Sequence, residues 1–285
     1  MKILLTGANG QLGRCFQDRL PDSWEVWATD TAELDITNKE AVLSAVRQYE
    51  PDAIVNAAAY TAVDKAESEH NIAALVNKTG PENLAIAASK YNSILVHVST
   101  DYVFDGNSAV PYLENDKTNP LGVYGLTKLE GENAVISFAP SAIIVRTAWV
   151  FSEYGNNFVK TMLRHGKDKD NLNVVDDQIG CPTYAGDIAN AIIHMLIKNT
   201  PKGLYHYCGD VRTSWFGFAK TIFDIADKSK MMDNIPNVTA INSDQYPTPV
   251  KRPAFSVLNT SKIELLGITP SDWKKALELI LPKLI

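Results

Sequence analysis

The residues of this sequence best suited to chemistry on a carbonyl begin with Tyr124 and Lys128, four apart in Tyr124-Gly125-Leu126-Thr127-Lys128. The segment has helical character, so phenol and ammonium share one helix face. Reducing a ketone needs hydride on carbon and a proton on oxygen, and a phenol with an ordinary pKa of about 10 becomes a better acid beside a cation. The spacing reads as acid and partner, with Lys128 also able to hold ribose hydroxyls. Thr100 follows the apolar run Ile94 to Ser99, and its hydroxyl can donate to the same substrate oxygen. A cap on the following turn is the competing reading for Ser99 or Thr100 alone.

Such chemistry needs a hydride source, and the N-terminus offers a place for one. Gly7-Ala8-Asn9-Gly10-Gln11-Leu12-Gly13 stands where an apolar run, Lys2 to Thr6, gives way to a helical pattern. Glycines at such a turn allow tight bending, close approach of a pyrophosphate and close packing of helix on sheet. The spacing is G-x-x-G-x-x-G, wider than the G-x-G-x-x-G fingerprint. A ligand-free glycine turn is the bland alternative, weakened by the strand before and the helix after. Asp30 ends the next strand, where a carboxylate accepts from adenosine ribose hydroxyls and repels a 2′-phosphate. NADH or NADPH is the expected cofactor, with NADH accepted at least as well.

These groups require a scaffold, and the first half of the chain spells one. Short apolar runs at Lys2 to Thr6, Glu25 to Thr29, Ala53 to Asn56, Ile94 to Ser99 and Ile143 to Arg146 read as strands. Between them, Gln11 to Leu20, Lys39 to Tyr49, Ile72 to Lys90 and Val123 to Phe138 read as helices, the second capped by Thr37 or Asn38. The expected fold class is α/β: a Rossmann-type doubly wound parallel sheet with a smaller, less regular C-terminal substrate domain. Residues 1–146 are assigned to the NAD(P)-binding part, with later segments returning to it, and 147–285 mainly to substrate binding. In that second part Asn157 to His165, Asp187 to Lys198, Trp215 to Lys228 and Ser271 to Leu281 read as helices, with strands at Leu172 to Val175 and Leu204 to Cys208.

Composition narrows the function classes. The 285 residues are 45% hydrophobic and carry a net charge of −6, which offers no basic field for nucleic acid. Cys15, Cys181 and Cys208 are odd in number and widely spaced, arguing against a disulfide framework and for a reducing compartment. No apolar run approaches the ~20 residues of a membrane helix, and no signal-peptide pattern opens the chain. A cytoplasmic protein is expected. The five histidines show no ligand spacing.

Taken together, Gly7 to Gly13, Ser99 to Gly106, Tyr124 with Lys128, Arg146 to Phe151, Asn156 to Met162, Asp177 to Thr183 and Lys251-Arg252-Pro253 resemble the dTDP-4-dehydrorhamnose reductases, extended short-chain dehydrogenases, almost from end to end. The resemblance implies reduction of the 4-keto group of dTDP-4-dehydro-L-rhamnose to dTDP-L-rhamnose, a precursor of surface polysaccharide. It implies Tyr124 as acid, Lys128 as its partner, and Thr100, Asp101 and Tyr102 at the sugar. Trp149 would stack on the sugar face, and Arg252 would meet the diphosphate. Gly7, Asn9, Gly10, Gln11, Leu12, Gly13, Asp30, Asp35, Ile36, Ala57, Ala58, Ala59, Tyr60 and Thr61 would line the cofactor with Tyr124 and Lys128. Some relatives hold a divalent ion through glutamates at a subunit contact; here Cys15 and Gly186 stand at the matching places, so no metal is expected. A dTDP-sugar is the expected partner, for a monomer or homodimer. The alternatives are another nucleotide-sugar reductase or epimerase, and a non-catalytic regulatory or binding subunit built on the same fold.

Overall fold

The computed structural model describes residues 1–284. Its first half alternates regularly: β1 (Lys2–Thr6), α1 (Gln11–Gln17), β2 (Glu25–Thr29), α2 (Lys39–Tyr49), β3 (Ala53–Asn56), α3 (Val63–Ala66), α4 (His70–Ala74), α5 (Gly80–Tyr91), β4 (Ile94–Thr100), α6 (Val123–Phe138) and β5 (Ile143–Thr147). The second half runs β6 (Val150–Phe151), α7 (Phe158–Asp168), β7 (Asn171–Val175), β8 (Ile179–Gly180), β9 (Thr183–Tyr184), α8 (Ala185–Ile197), β10 (Gly203–His206), β11 (Thr213–Ser214), α9 (Trp215–Lys228), β12 (Asn237–Ile241), α10 (Ser261–Glu264) and α11 (Trp273–Ile280).

A six-stranded parallel sheet in the order β10-β5-β4-β3-β1-β2 forms the centre. Helices cover both faces, so its strands are mostly apolar, with His97 of β4 and Arg146 of β5 buried among them. Alternation across β1 sends Ile3 and Leu5 into a core with Phe16, Ile188 and Ile192. Leu4 points the other way, into a core with Ile54, Val42, Val46 and Leu84. Each such buried aliphatic side chain is worth about 1.5–3 kcal/mol. The edge strand β10 enters from far along the sequence, and α8 packs under the glycine turn through the first of these cores.

Local rules set the element ends. Asn38 caps α2, its side chain accepting the Ala41 N–H at 3.1 Å. Helix α1 stops at Gln17, three residues short of the expected end, and the chain tightens into three-residue turns at Arg19 and Leu20. The expected helix Ile72 to Lys90 is interrupted by a π-turn over Leu75–Thr79. Pro81 has no N–H for the Asn77 carbonyl four residues back, and its ring crowds that carbonyl. The displaced carbonyl lies over Gly131 of α6, where a Cβ would come within 2.1 Å of it.

Beyond β5 a third core gathers Phe151, Phe218, Phe223, Trp273 and Leu277 from β6, α9 and α11. There β12 pairs in parallel with β7, Asn237 opposite Asn171 through Ile241 opposite Val175. Residues 237–241 carried no strand signal, since this exposed edge shows no clean apolar alternation.

Candidate active site

The glycine turn is closed too tightly for any side chain. Gly7 has φ +71°, and a Cβ on it would lie 2.6 Å from the Ala58 nitrogen. A Cβ on Gly13 would lie 2.2 Å from the Gly7 oxygen. Beyond the turn, Asp30 is fixed at the end of β2, its carboxylate accepting the N–H groups of Asn9 at 3.1 Å and Thr31 at 2.8 Å. These features border a cavity of about 510 Å³ along the carboxyl edge of the sheet. A glycine cradle, small alanine walls and an acid at the far strand end fit a dinucleotide.

The cavity brings together Gly7, Gly10, Gln11, Leu12, Asp30, Asp35, Ile36, Ala57, Ala58, Ala59, Thr61, Tyr124 and Lys128. Asn9, Gly13 and Tyr60 do not line it. Tyr60 is turned away, with its hydroxyl donating to Glu69 at 2.5 Å and its backbone N–H to Asn77 Oδ1 at 2.8 Å. Val98, Thr147, Val150, Gly155 and Asn156 also line the cavity. Sequence reasoning did not single these out as cofactor contacts, although Gly155 and Asn156 lie in a Gly/Asn-rich loop that signals a break near a ligand edge.

Tyr124 and Lys128 enter from α6, which sits close on the turn after β4: a Cβ on Gly125 would lie 2.2 Å from the Tyr102 oxygen. The approach sets the Tyr102 and Tyr124 rings edge to face, centroids 5.5 Å apart. Lys128 Nζ donates to the Val98 carbonyl at 2.7 Å. Burial draws its pKa down to about 8, opposed by the Glu132 carboxylate. Tyr124 departs from expectation. Burial pushes its phenol up to about 12, a Thr100 hydrogen bond pulls it the other way, and the Asp101 carboxylate adds to the rise. Desolvation of the phenolate is the largest effect, so Tyr124 holds its proton throughout the neutral range. That is the state a proton donor needs.

Thr100 and Asp101 are both buried at the end of β4. Thr100 donates to Asp101 Oδ1 at 3.0 Å and accepts from the Tyr102 N–H at 3.2 Å, so it caps the turn as well as standing beside Tyr124. Asp101 Oδ2 is buried without a hydrogen-bond partner. Burial raises this carboxyl to about 6, with the Ser256 and Thr100 hydroxyls drawing it back in part. Tyr102 is half-buried, edge to face with Tyr124, and lines neither the dinucleotide cavity nor the neighbouring groove.

Trp149 and Arg252 lie outside the dinucleotide cavity. Trp149 takes φ +46°, a left-handed backbone rare for a bulky residue. Its indole is stacked on Trp215 at 3.5 Å between centroids, and Gly180 packs so closely that a Cβ there would come within 2.4 Å. The expected open stacking face of Trp149 is therefore covered by an indole remote in sequence. Trp215, with Phe158 and Arg252, lines a neighbouring groove of about 880 Å³ between α7, β7 and residues 245–252. Arg252 pairs there with Asp64 at 3.0 Å, and its Nε has no partner.

The place where some relatives hold a divalent ion is filled differently. Burial pushes the Cys15 thiol up to about 12. A Cβ on Gly186 would meet the Arg19 guanidinium at 2.3 Å. Arg19 donates to Tyr184 Oη at 2.9 Å, while Tyr184 and Lys283 both donate to Glu153. A protonated thiol and two resident cations do not fit a divalent ion, and no step is assigned to one. Among the described residues no group of three or more His, Cys, Asp or Glu is placed to hold a metal, and no helix is long and apolar enough to cross a membrane.

A parallel sheet, a glycine cradle and a Tyr-Lys pair opening on one cavity define a nicotinamide-nucleotide oxidoreductase of the extended short-chain dehydrogenase class. Comparison with known proteins gives the particular group. Residues 1–285 match the family described as RmlD substrate binding domain. A dTDP-4-dehydrorhamnose reductase of Aggregatibacter actinomycetemcomitans is 50% identical over 98% of both chains. The crystal structure of a dTDP-4-dehydrorhamnose reductase from Clostridium acetobutylicum superimposes with a TM-score of 0.95 at 42% identity, covering 100% of this chain and 99% of that one. That from Bacillus anthracis, in complex with NADP, gives 0.93 at 37% identity and covers 99% of each chain. The chain belongs to the dTDP-4-dehydrorhamnose reductase family.

Proposed function

We propose that this protein reduces the 4-keto group of dTDP-4-dehydro-L-rhamnose to dTDP-L-rhamnose with NADPH or NADH, in the cytoplasm, for surface polysaccharide. The observation that carries the reading is that Tyr124 and Lys128 border the same cavity as the glycine cradle. Relatives matched over nearly their whole length carry the reductase name, which favours an enzyme over a regulatory subunit.

When bound, the reduced nicotinamide supplies hydride to the carbonyl carbon. Tyr124 gives its proton to the carbonyl oxygen as negative charge develops there. Thr100, already beside the phenol, adds a hydrogen bond to that oxygen. Lys128 holds ribose hydroxyls and places an ammonium near the reacting oxygen. Asp101 accepts from a sugar hydroxyl through Oδ2. Residues 1–146, with β10 and α8, form the cofactor-binding part, and the remainder of 147–285 the substrate-binding part. The nucleotide lies along the groove lined by Phe158 and Trp215, with Arg252 turned from Asp64 to the diphosphate.

The test is NADPH and NADH oxidation by purified protein, with the 4-keto sugar made in situ from dTDP-glucose. Cofactor oxidation that requires the sugar, with dTDP-L-rhamnose as product, is expected. No oxidation with either cofactor would return the reading to a binding subunit.

A further inference from the structure

Glu132 follows Lys128 by four residues on α6, as Lys128 follows Tyr124, so the three lie on one stripe of the helix. Its carboxylate is buried and held on both oxygens. Arg146 donates from Nε to Oε1 at 2.9 Å and from Nη2 to Oε2 at 2.7 Å, and Ser99 donates to Oε1 at 2.5 Å. Ser99 and Arg146 are cross-strand partners in β4 and β5, one residue before the paired Thr100 and Thr147. Arg146 is further seated over the Phe104 ring, 5.1 Å from its centroid. Apolar residues of similar volume often stabilise a fold as well as a buried ion pair does, so stability alone does not explain this one.

We propose that Glu132, locked by Arg146 and Ser99, is a positioning residue for the reduction: it fixes the Tyr124–Lys128 face of α6 against the end of β4 and places a buried carboxylate one helical turn from Lys128. This deepens the reductase reading and rests on it. The ionisable groups around Lys128 come from several elements. Tyr124 and Glu132 share its helix, His97 lies on β4, Asp101 follows β4, and Arg146 lies on β5. His97 is held well below its usual range by burial and by Lys128 itself, and is neutral. Tyr124 is a neutral phenol in this range. Arg146 is engaged by Glu132, and Asp101 lies beyond the phenol with Thr100 as its partner. Glu132 is the group whose charge opposes the effect of burial on Lys128.

The experiment compares the unaltered protein with Glu132→Gln and with the double variant Glu132→Gln/Arg146→Met. The double variant is included because the single change leaves Arg146 as an uncompensated buried cation and can unfold the chain. Three quantities are measured: the NADPH dissociation constant against pH, from nucleotide fluorescence; kcat/KM for the sugar against pH; and Tm. In the unaltered protein both profiles should weaken above about pH 8, where burial leads Lys128 to lose its proton. Glu132→Gln should move that limb down by roughly one pH unit. The double variant should move it in the same direction, since the charge that opposes burial at Lys128 is lost in it as well. A merely structural Glu132 lowers Tm and leaves both limbs in place. That result in the double variant overturns the proposal. Lack of sugar turnover in the unaltered protein overturns the reductase reading instead, and the NADPH titration still decides the role of Glu132.

Discussion

Trp149 and Trp215 form one aromatic unit, their ring planes 5° from parallel although they lie far apart in sequence. Phe158 extends the unit at 4.7 Å from Trp215. Trp215 is thus the indole that faces the groove, and Trp149 stands behind it in a strained backbone. Trp215→Ala should raise the KM for the sugar nucleotide about tenfold or more, the loss of one well-packed aromatic contact, while leaving the NADPH dissociation constant unchanged. Steady-state kinetics with separate cofactor titration check this. Equal weakening of both would place Trp215 in the core alone.

Asp101 links stability to pH. Its folded pKa of about 6 lies above the ordinary 3.8, so the folded state penalises the charged form. The penalty is full above about pH 6 and is relieved as pH falls toward the ordinary carboxyl value, by up to about 3 kcal/mol. Asp101→Asn should therefore stabilise the protein near pH 8, lose that advantage near about pH 4, and lower turnover. Denaturant unfolding at the two pH values measures it. A destabilised Asn variant near pH 8 would show that the carboxylate's hydrogen bonds outweigh its desolvation.

The glycine turn makes a steric prediction. Because a Cβ on residue 13 meets the Gly7 carbonyl and the Ala8 backbone, which cannot yield as a flexible side chain would, Gly13→Ala should destabilise by about 1–3 kcal/mol. It should also weaken NADPH binding at least tenfold. Thermal unfolding and fluorescence titration test the two together, and a neutral effect on both would mean the turn relaxes freely.

A role for Asp30 in the choice between cofactors makes a further prediction. Its carboxylate is held by the Asn9 and Thr31 N–H groups at the cavity edge. Asp30→Ala should shift the ratio of kcat/KM toward NADPH, since a repelling charge is lost. The unaltered protein should use NADH at least as well as NADPH, and a strong NADPH preference would contradict that role.

Much of this was legible in the sequence for physical reasons. Strands of a parallel sheet read as short, mainly apolar runs, and the expected bounds of β1, β2 and β3 agree with the observed ones. Tyr124, Lys128 and the glycines announce themselves because their chemistry depends on local spacing. Contacts between distant segments do not. The covering of Trp149 by Trp215, the pairing of β7 with β12, and the burial that raises Tyr124 all arise from tertiary packing. The expected helix Ile72 to Lys90 ran through Pro81 without a break; the π-turn that interrupts it has its displaced Asn77 carbonyl close over Gly131 on another helix.

The central claim is that Tyr124 gives the proton to the 4-keto oxygen. Its most direct test is single-turnover hydride transfer, followed by loss of reduced-nicotinamide absorbance, in Tyr124→Phe preloaded with NADPH and mixed with the 4-keto sugar. Positioned general acids contribute about 100 to 10,000-fold, so the rate should fall by that order while the NADPH dissociation constant stays within about twofold. A hydride-transfer rate equal to that of the unaltered protein would mean that the proton comes from elsewhere, and the assignment of this cavity's Tyr-Lys pair would fail.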